Sequence, residues 1–244
     1  AKSPPCSSVL QCAPALANYL FANLFEVERR IVAPATTLNE ALRKCGLARI
    51  DWLKVDTQGT DLRLFLSLDD KIRSRVLAVD VEPGLIDAYE GEDLFDAAHV
   101  HLRREGFWLS ALEVKYTTRM RRATLATLQQ EHRYLTEKDV YRGVRASPGW
   151  CEARYLRSIE HLAGHNADQR DYATLWCIAM TERQHGYALD IAQAFESQFG
   201  PSASASLMRS APLSKLRRSR WTAANIAKRW LPTSIKSVVR RLFG

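Results

Sequence analysis

Ile50-Asp51-Trp52-Leu53-Lys54-Val55-Asp56-Thr57-Gln58-Gly59-Thr60-Asp61 is the stretch from which the fold can be read. It begins as an apolar strand whose charges gather toward its end, and Thr57-Gln58-Gly59 then turns the chain. Leu62, Phe65, Leu66 and Ile72 follow at the spacing of a helix with one buried face. A second strand runs from Val76 to Glu82 and is stopped by Pro83-Gly84. Leu94, Phe95, Ala98 and Leu102 predict a helix over Glu90 to Glu105 that Gly106 ends, and Phe107 to Val114 returns as a strand. Strands alternating with helices imply an α/β fold with a parallel, doubly wound sheet covered on both faces.

Upstream, Pro14, Leu16, Leu20 and Leu24 suggest a short buried helix. No charge separates Lys2 from Glu26, but prolines, serines and asparagines interrupt that segment too often for a membrane span of about 20 apolar residues. Glu26 to Val32 alternates like a half-exposed strand, and Thr37-Leu38-Asn39-Glu40 is a capping box opening a helix that Gly46 can end. The α/β part therefore covers residues 1–115. After Lys115 the spacing turns helical, over Met120 to Arg133, Trp150 to Leu162, Arg170 to Thr181 and Tyr187 to Phe199, which predicts a helical extension over 116–200. Ser202 to Ser206 reads as a Ser/Ala linker into a tail over 201–244.

The 244 residues carry a formal charge of +8, yet residues 201–244 alone hold ten Lys or Arg and no Asp or Glu. The other 200 residues set 25 bases against 27 acids, so the excess of positive charge belongs to the tail. Its cations alternate with Trp221, Ile226, Trp230, Ile235, Val238 and Phe243. Such an amphipathic segment, residues 207–244, suits an anionic membrane surface, or an apolar face docked on the helical extension. A nucleic-acid partner is the weaker reading, because no reader fold accompanies the tail. Five scattered cysteines without a C-x-x-C pair point to a reducing, cytoplasmic setting, peripheral at the inner membrane face if the tail binds lipid.

Ligands of an open parallel sheet bind beyond the carboxyl ends of its strands, and both leading strands end in charge. Lys54 and Asp56 share one parity of the first, and Asp80 and Glu82 share one parity of the second. A lysine inside a covered strand needs a carboxylate or a ligand. Lys54 paired with Asp80, with Asp56 capping the next helix, is the plain structural alternative. His99 and His101, two apart on a helix, point to different faces and read as solvated. His161 and His165 lack an H-E-x-x-H frame, and no metal is assigned. Trp176, Cys177 and Met180 read as core of the extension.

The block from Leu53-Lys54-Val55-Asp56-Thr57-Gln58-Gly59 to Asp61 resembles the L-K-x-D-x-[EQ]-G-x-E signature of FkbM-type methyltransferases. Val81-Glu82, Tyr89-Glu90-Gly91 with Leu94-Phe95, Leu102 and Gly106-Phe107 extend the likeness downstream. Ser7-Ser8-Val9-Leu10 and Thr36-Thr37-Leu38-Asn39-Glu40 extend it upstream, so it covers roughly residues 6–114. Asp61 stands where the family usually has Glu, and Asn39 where it usually has Asp. The resemblance implies the C-terminal part of a Rossmann-like class I sheet and an S-adenosylmethionine-dependent O-methyltransferase. Its acceptor would be a hydroxyl of a sugar, glycolipid or related small molecule. Asp56 would be the base or the group orienting the acceptor, Lys54 would hold Asp56 in place, and Glu82 would hold acceptor hydroxyls. Gln58, Gly59 and Ser8 would line the cofactor. None of the eleven glycines forms a G-x-G pair, so the glycine-rich cofactor half is expected outside this chain, which would then be inactive as it stands. A non-catalytic methyltransferase-like binding module is the alternative.

Overall fold

The computed structural model describes residues 1–219, and they fall into two compact units, the first ending at Ala167 and the second beginning at Asp168. In the first unit, two 3-10 turns at Pro14–Asn18 and Leu20–Phe25 precede helix α1 (Leu38–Lys44). Strand β1 (Trp52–Lys54) then leads to α2 (Asp61–Leu66), α3 (Asp70–Arg73), β2 (Ala78–Val81), α4 (Phe95–Arg104) and β3 (Phe107–Thr117). Two surface helices, α5 (Arg122–Glu131) and α6 (Glu137–Gly143), separate β3 from β4 (Ser147–Arg157), and α7 (Ile159–Gly164) closes the unit.

The capping signals around α1 hold. Thr37 caps α1 by accepting the Glu40 N–H at 3.2 Å, and Gly46 beyond it has φ +67°. The short helix expected here is instead two 3-10 turns, the first opened by Pro14, with Leu16 and Leu20 buried and Leu24 exposed. Glu26 to Val32 forms no strand despite its alternation; Val27, Ile31 and Val32 lie exposed with no neighbouring strand to complete a ladder.

The sheet has the order β1-β2-β4-β3. Only β1 and β2 are parallel, with Lys54 opposite Asp80, while β4 runs antiparallel to both β2 and β3. The expectation of an all-parallel sheet is therefore corrected to a mixed one. The cause is β4, which was expected to be helical over Trp150 to Leu162. Its inward residues Cys151, Ala153 and Tyr155 alternate with Trp150, Glu152 and Arg154, which sets it firmly as a strand. It inserts between β2 and β3, so the sheet draws on residues well beyond 115.

One face of the sheet builds the core. Leu53, Val55, Val79, Val81, Cys151, Ala153 and Tyr155 meet Leu42 of α1, Phe65 of α2 and Leu102 of α4. Phe65 and Phe107 pack edge to face at 5.8 Å. A fully buried guanidinium pins the end of this layer: Arg157 donates to the carbonyls of Val76 at 2.8 Å, Arg73 at 2.7 Å and Glu105, and lies 3.6 Å over the Phe107 ring. Burial pulls it down to about 9, so it stays charged at neutral pH. The residues of opposite parity on this sheet are Trp52, Lys54, Asp80, Glu152 and Arg154.

The second unit consists of α8 (Gln169–Thr181), α9 (His185–Phe199) and α10 (Ala203–Ser219). Asp168 opens α8 with a full capping box to Asp171. Tyr172, Leu175, Ile178 and Ala179 form the buried stripe, whereas Cys177, expected in the core, is exposed. Ser202 to Ser206 is no linker: the Ala205 N–H donates to the Ser202 hydroxyl at 3.1 Å as α10 begins, and Ala205 and Met208 are buried. The Trp176 indole N–H donates to the Met208 carbonyl at 2.9 Å. Among the described residues no helix is long and apolar enough to cross a membrane. Of the amphipathic tail expected over 207–244, residues 207–219 belong to α10 and the remainder lies outside the described residues.

Candidate active site at the carboxyl ends of β1 and β2

The two parallel strands deliver their last side chains to one edge of the sheet, and a buried carboxylate ties those ends together. Asp61, at the start of α2, is 2% exposed. Its Oδ1 accepts the Thr57 N–H at 2.8 Å and the Thr57 hydroxyl at 2.6 Å, while Oδ2 accepts the Glu82 N–H at 2.7 Å. Aspartate suffices where the family usually has the longer Glu, because all three donors come within its reach. Between these anchors Gln58 adopts φ +53° and Gly59 φ +105°, which turn the chain sharply after Asp56.

Asp56 projects from this turn, exposed, and its Oδ1 accepts the Gln58 side-chain amide at 2.6 Å. Glu82 is half-buried on the neighbouring strand end. Its carboxyl is pushed above the usual range, chiefly by burial and then by the negative charges of Asp56 and Glu152, while Lys54 pulls the other way. Lys54 Nζ lies 4.0 Å from Glu82 Oε1, with most of its side chain in solvent.

Lys54 therefore faces Glu82 rather than Asp56 or Asp80. Asp80 is held by the Arg154 guanidinium through two bonds, Nε to Oδ1 at 2.7 Å and Nη2 to Oδ2 at 2.8 Å. Arg154 also lies 4.9 Å over the Trp52 ring. That fork is the register lock that the plain structural alternative sought in Lys54, and it releases Lys54 to the site.

A loop from 84 to 93 closes one side. Arg63 donates Nε to Asp93 Oδ1 at 2.9 Å and reaches the Gly59 and Gly91 carbonyls with Nη2. Glu92 accepts the Ala88 N–H at 2.6 Å and packs against both Gly59 and Gly84. A methyl group on Gly59 would stand 2.9 Å from Glu92 Cβ, and one on Gly84 2.8 Å from a Glu92 carboxylate oxygen. Burial holds the Glu92 carboxyl up at about 7.

Ser8, Gln58 and Gly59, the expected cofactor contacts, are brought together and bind one another. Ser8 Oγ donates to the Gln58 carbonyl at 2.6 Å and accepts the Leu10 N–H at 3.0 Å. The Gln58 Oε1 accepts the Tyr89 hydroxyl at 3.3 Å, and Tyr89 also donates to the Cys6 carbonyl at 2.8 Å. The space that Gly59 leaves is taken by Glu92 and Leu10. These three residues fasten the Asp56 turn and do not make an open cradle for a nucleoside and an amino acid.

Sequence reasoning missed Arg154, Glu92, Tyr89 and Asp93. Arg154 could have been sought as the partner demanded by the part-buried Asp80. It also placed His99 and His101 in solvent, yet both are half-buried: His99 Nδ1 meets the Tyr155 hydroxyl at 3.1 Å and His101 Nδ1 the Ala97 carbonyl at 2.9 Å.

An α/β unit whose adjacent parallel strands end in carboxylates beside a sharp glycine turn defines the class. Comparison of the chain with known proteins adds a family likeness over part of its length. Residues 11–109 match the methyltransferase FkbM domain, and the resemblance read from Lys54 to Gly59 is borne out. No curated protein and no solved structure matches the chain.

Proposed function

We propose that the first unit is the acceptor side of an S-adenosylmethionine-dependent O-methyltransferase acting on a hydroxyl of a sugar, glycolipid or related metabolite. The observation that carries this reading is the placement of Asp56 and Glu82 on adjacent strand ends, one exposed and one half-buried, with Lys54 beside Glu82. Methyl transfer to oxygen requires a hydroxyl held in line with the methyl group and relieved of its proton. Asp56 accepts that proton from the acceptor hydroxyl. Glu82, half-buried on the neighbouring strand end, binds a neighbouring hydroxyl and orients the ring. Gln58, bonded to both Asp56 and Tyr89, fixes the direction of the Asp56 carboxylate.

The cofactor is expected from the family. Ser8, Gln58 and Gly59, bonded to one another and to the turn, do not fit it as a cradle. Asp56→Asn should lower methyl transfer from S-adenosylmethionine by roughly a hundredfold, as loss of a general base does. Cofactor affinity should change little. Turnover within threefold of the unaltered protein would make Asp56 a turn residue and favour the non-catalytic binding module.

A further inference from the structure

A cavity of about 230 Å³ opens where the 3-10 turns meet the loop after β2 and the segment between β3 and α5. Tyr19, Asn18, Phe21, Asp87, Arg119 and Arg121 line it. Its frame is built from backbone: Leu20 N–H donates to the Met120 carbonyl at 3.0 Å, and Ala13 N–H to the Ala88 carbonyl at 2.9 Å. Ring contacts lead from it to the candidate site. Phe21 packs on Phe25 at 6.5 Å, Phe25 on Tyr89 at 5.5 Å, and Tyr89 donates to the Gln58 side chain that holds Asp56.

The cavity has an unbalanced charge. The Arg119 guanidinium rests over the Tyr19 ring at 5.5 Å, and Tyr19 stacks on Phe21 at 5.8 Å. Among the described residues, neither Arg119 nor Arg121 forms an ion pair with a carboxylate, and Asp87 forms none with a cation. Two guanidiniums and one carboxylate leave a net charge of +1. Guanidinium forks match carboxylate and phosphate oxygens, whereas a carboxylate facing the same space accepts hydroxyl protons. The volume lies just below the span of about 300–1,000 Å³ that drug-sized ligands occupy, which suits one sugar-sized unit.

We infer that this cavity binds a hydroxylated oxyanion, the carboxylate or phosphate group of a single sugar unit, with Arg119 and Arg121 on the oxyanion and Asp87 on a hydroxyl. That this anion belongs to the methyl acceptor rests on the function proposed above; the binding itself does not. Calorimetric titration of the 244-residue chain with glucuronate, glucose 1-phosphate and glucose, without S-adenosylmethionine, tests it. At least one of the two anions should bind ten or more times as tightly as glucose, and the tighter one names the oxyanion. Binding should weaken as salt rises and fall at least tenfold in Arg119→Gln/Arg121→Gln. Both side chains are exposed, so folding should persist, and Arg119→Lys provides a check in which charge stays but the fork is lost. Glucose binding as tightly as either anion, no saturable binding of any of the three, or affinity unchanged in the double variant would overturn the inference. Methyl transfer by Asp56 variants tests the other reading, so each can fail alone.

Discussion

The buried carboxylate of Asp61 accepts the backbone N–H of Glu82 at 2.7 Å and so couples the helix after β1 to the end of β2. This bond sets the separation of the two candidate catalytic carboxylates, because Asp56 lies at the near end of the same turn through Thr57.

Asp61→Ala removes the acceptor for three donors, two of them backbone N–H groups. Leaving such groups unsatisfied costs about 1–3 kcal/mol each, and partial hydration offsets some of it. A loss of about 3 kcal/mol in urea unfolding is expected. A loss below about 1 kcal/mol would show that the turn finds other partners.

Lys54→Met tests where the lysine acts. Because Lys54 is mostly solvated, stability should stay within about 0.5 kcal/mol. The Glu82 carboxyl should titrate at higher pH, since Lys54 draws it down in the unaltered protein. Carboxyl NMR titration reads the shift directly, and an unmoved Glu82 would separate the two residues.

Glu92 links stability to pH. Its folded-state pKa of about 7 lies above the ordinary 4.5, so the folded chain holds the proton longer than the unfolded one. Its contribution is complete below about 4.5 and is lost as pH rises through about 7. Glu92→Gln keeps the acceptor for the Ala88 N–H without the charge, so it should melt above the unaltered protein at pH 8 and together with it at pH 4.5. Parallel melting curves at both pH values would refute the linkage.

Gly106 occupies φ +84°, and a methyl group there would lie 2.7 Å from the His161 ring nitrogen. Strain at such a position costs about 1–3 kcal/mol, and the displaced imidazole also loses its 3.0 Å bond to the Ser74 carbonyl. Gly106→Ala should therefore lower stability by at least 2 kcal/mol in denaturant unfolding. A neutral result would mean that His161 moves freely.

The strand, turn and helix from Ile50 to Leu66 were legible because each signal is local: apolar run, glycine turn, helical spacing. Asp56 and Glu82 stood out for the same reason, as charges at strand ends. β4 was hidden because Leu156 and Arg157 are buried beside Tyr155, which interrupts the alternation. Tyr155, Ile159 and Leu162 then mimic helical spacing across the strand-to-helix junction. Arg154 was hidden because its partner Asp80 is 74 positions away, and no local pattern announces so distant a pair. The cofactor-binding reading of Ser8 joined the right residues, whose observed bonds serve the turn.

The insertion of β4 between β2 and β3 sets an order on how the molecule is made. Ala78 pairs with Leu156, 78 positions later in the chain. At roughly 5–20 residues per second of synthesis, β2 waits about 4–16 s for the neighbour that covers its second edge. Throughout that interval the second edge of β2, with Val79 and Val81, has no strand to cover it, the kind of template on which nascent chains pair wrongly. Chaperone dependence during translation should therefore concentrate before Arg157 emerges and end with it.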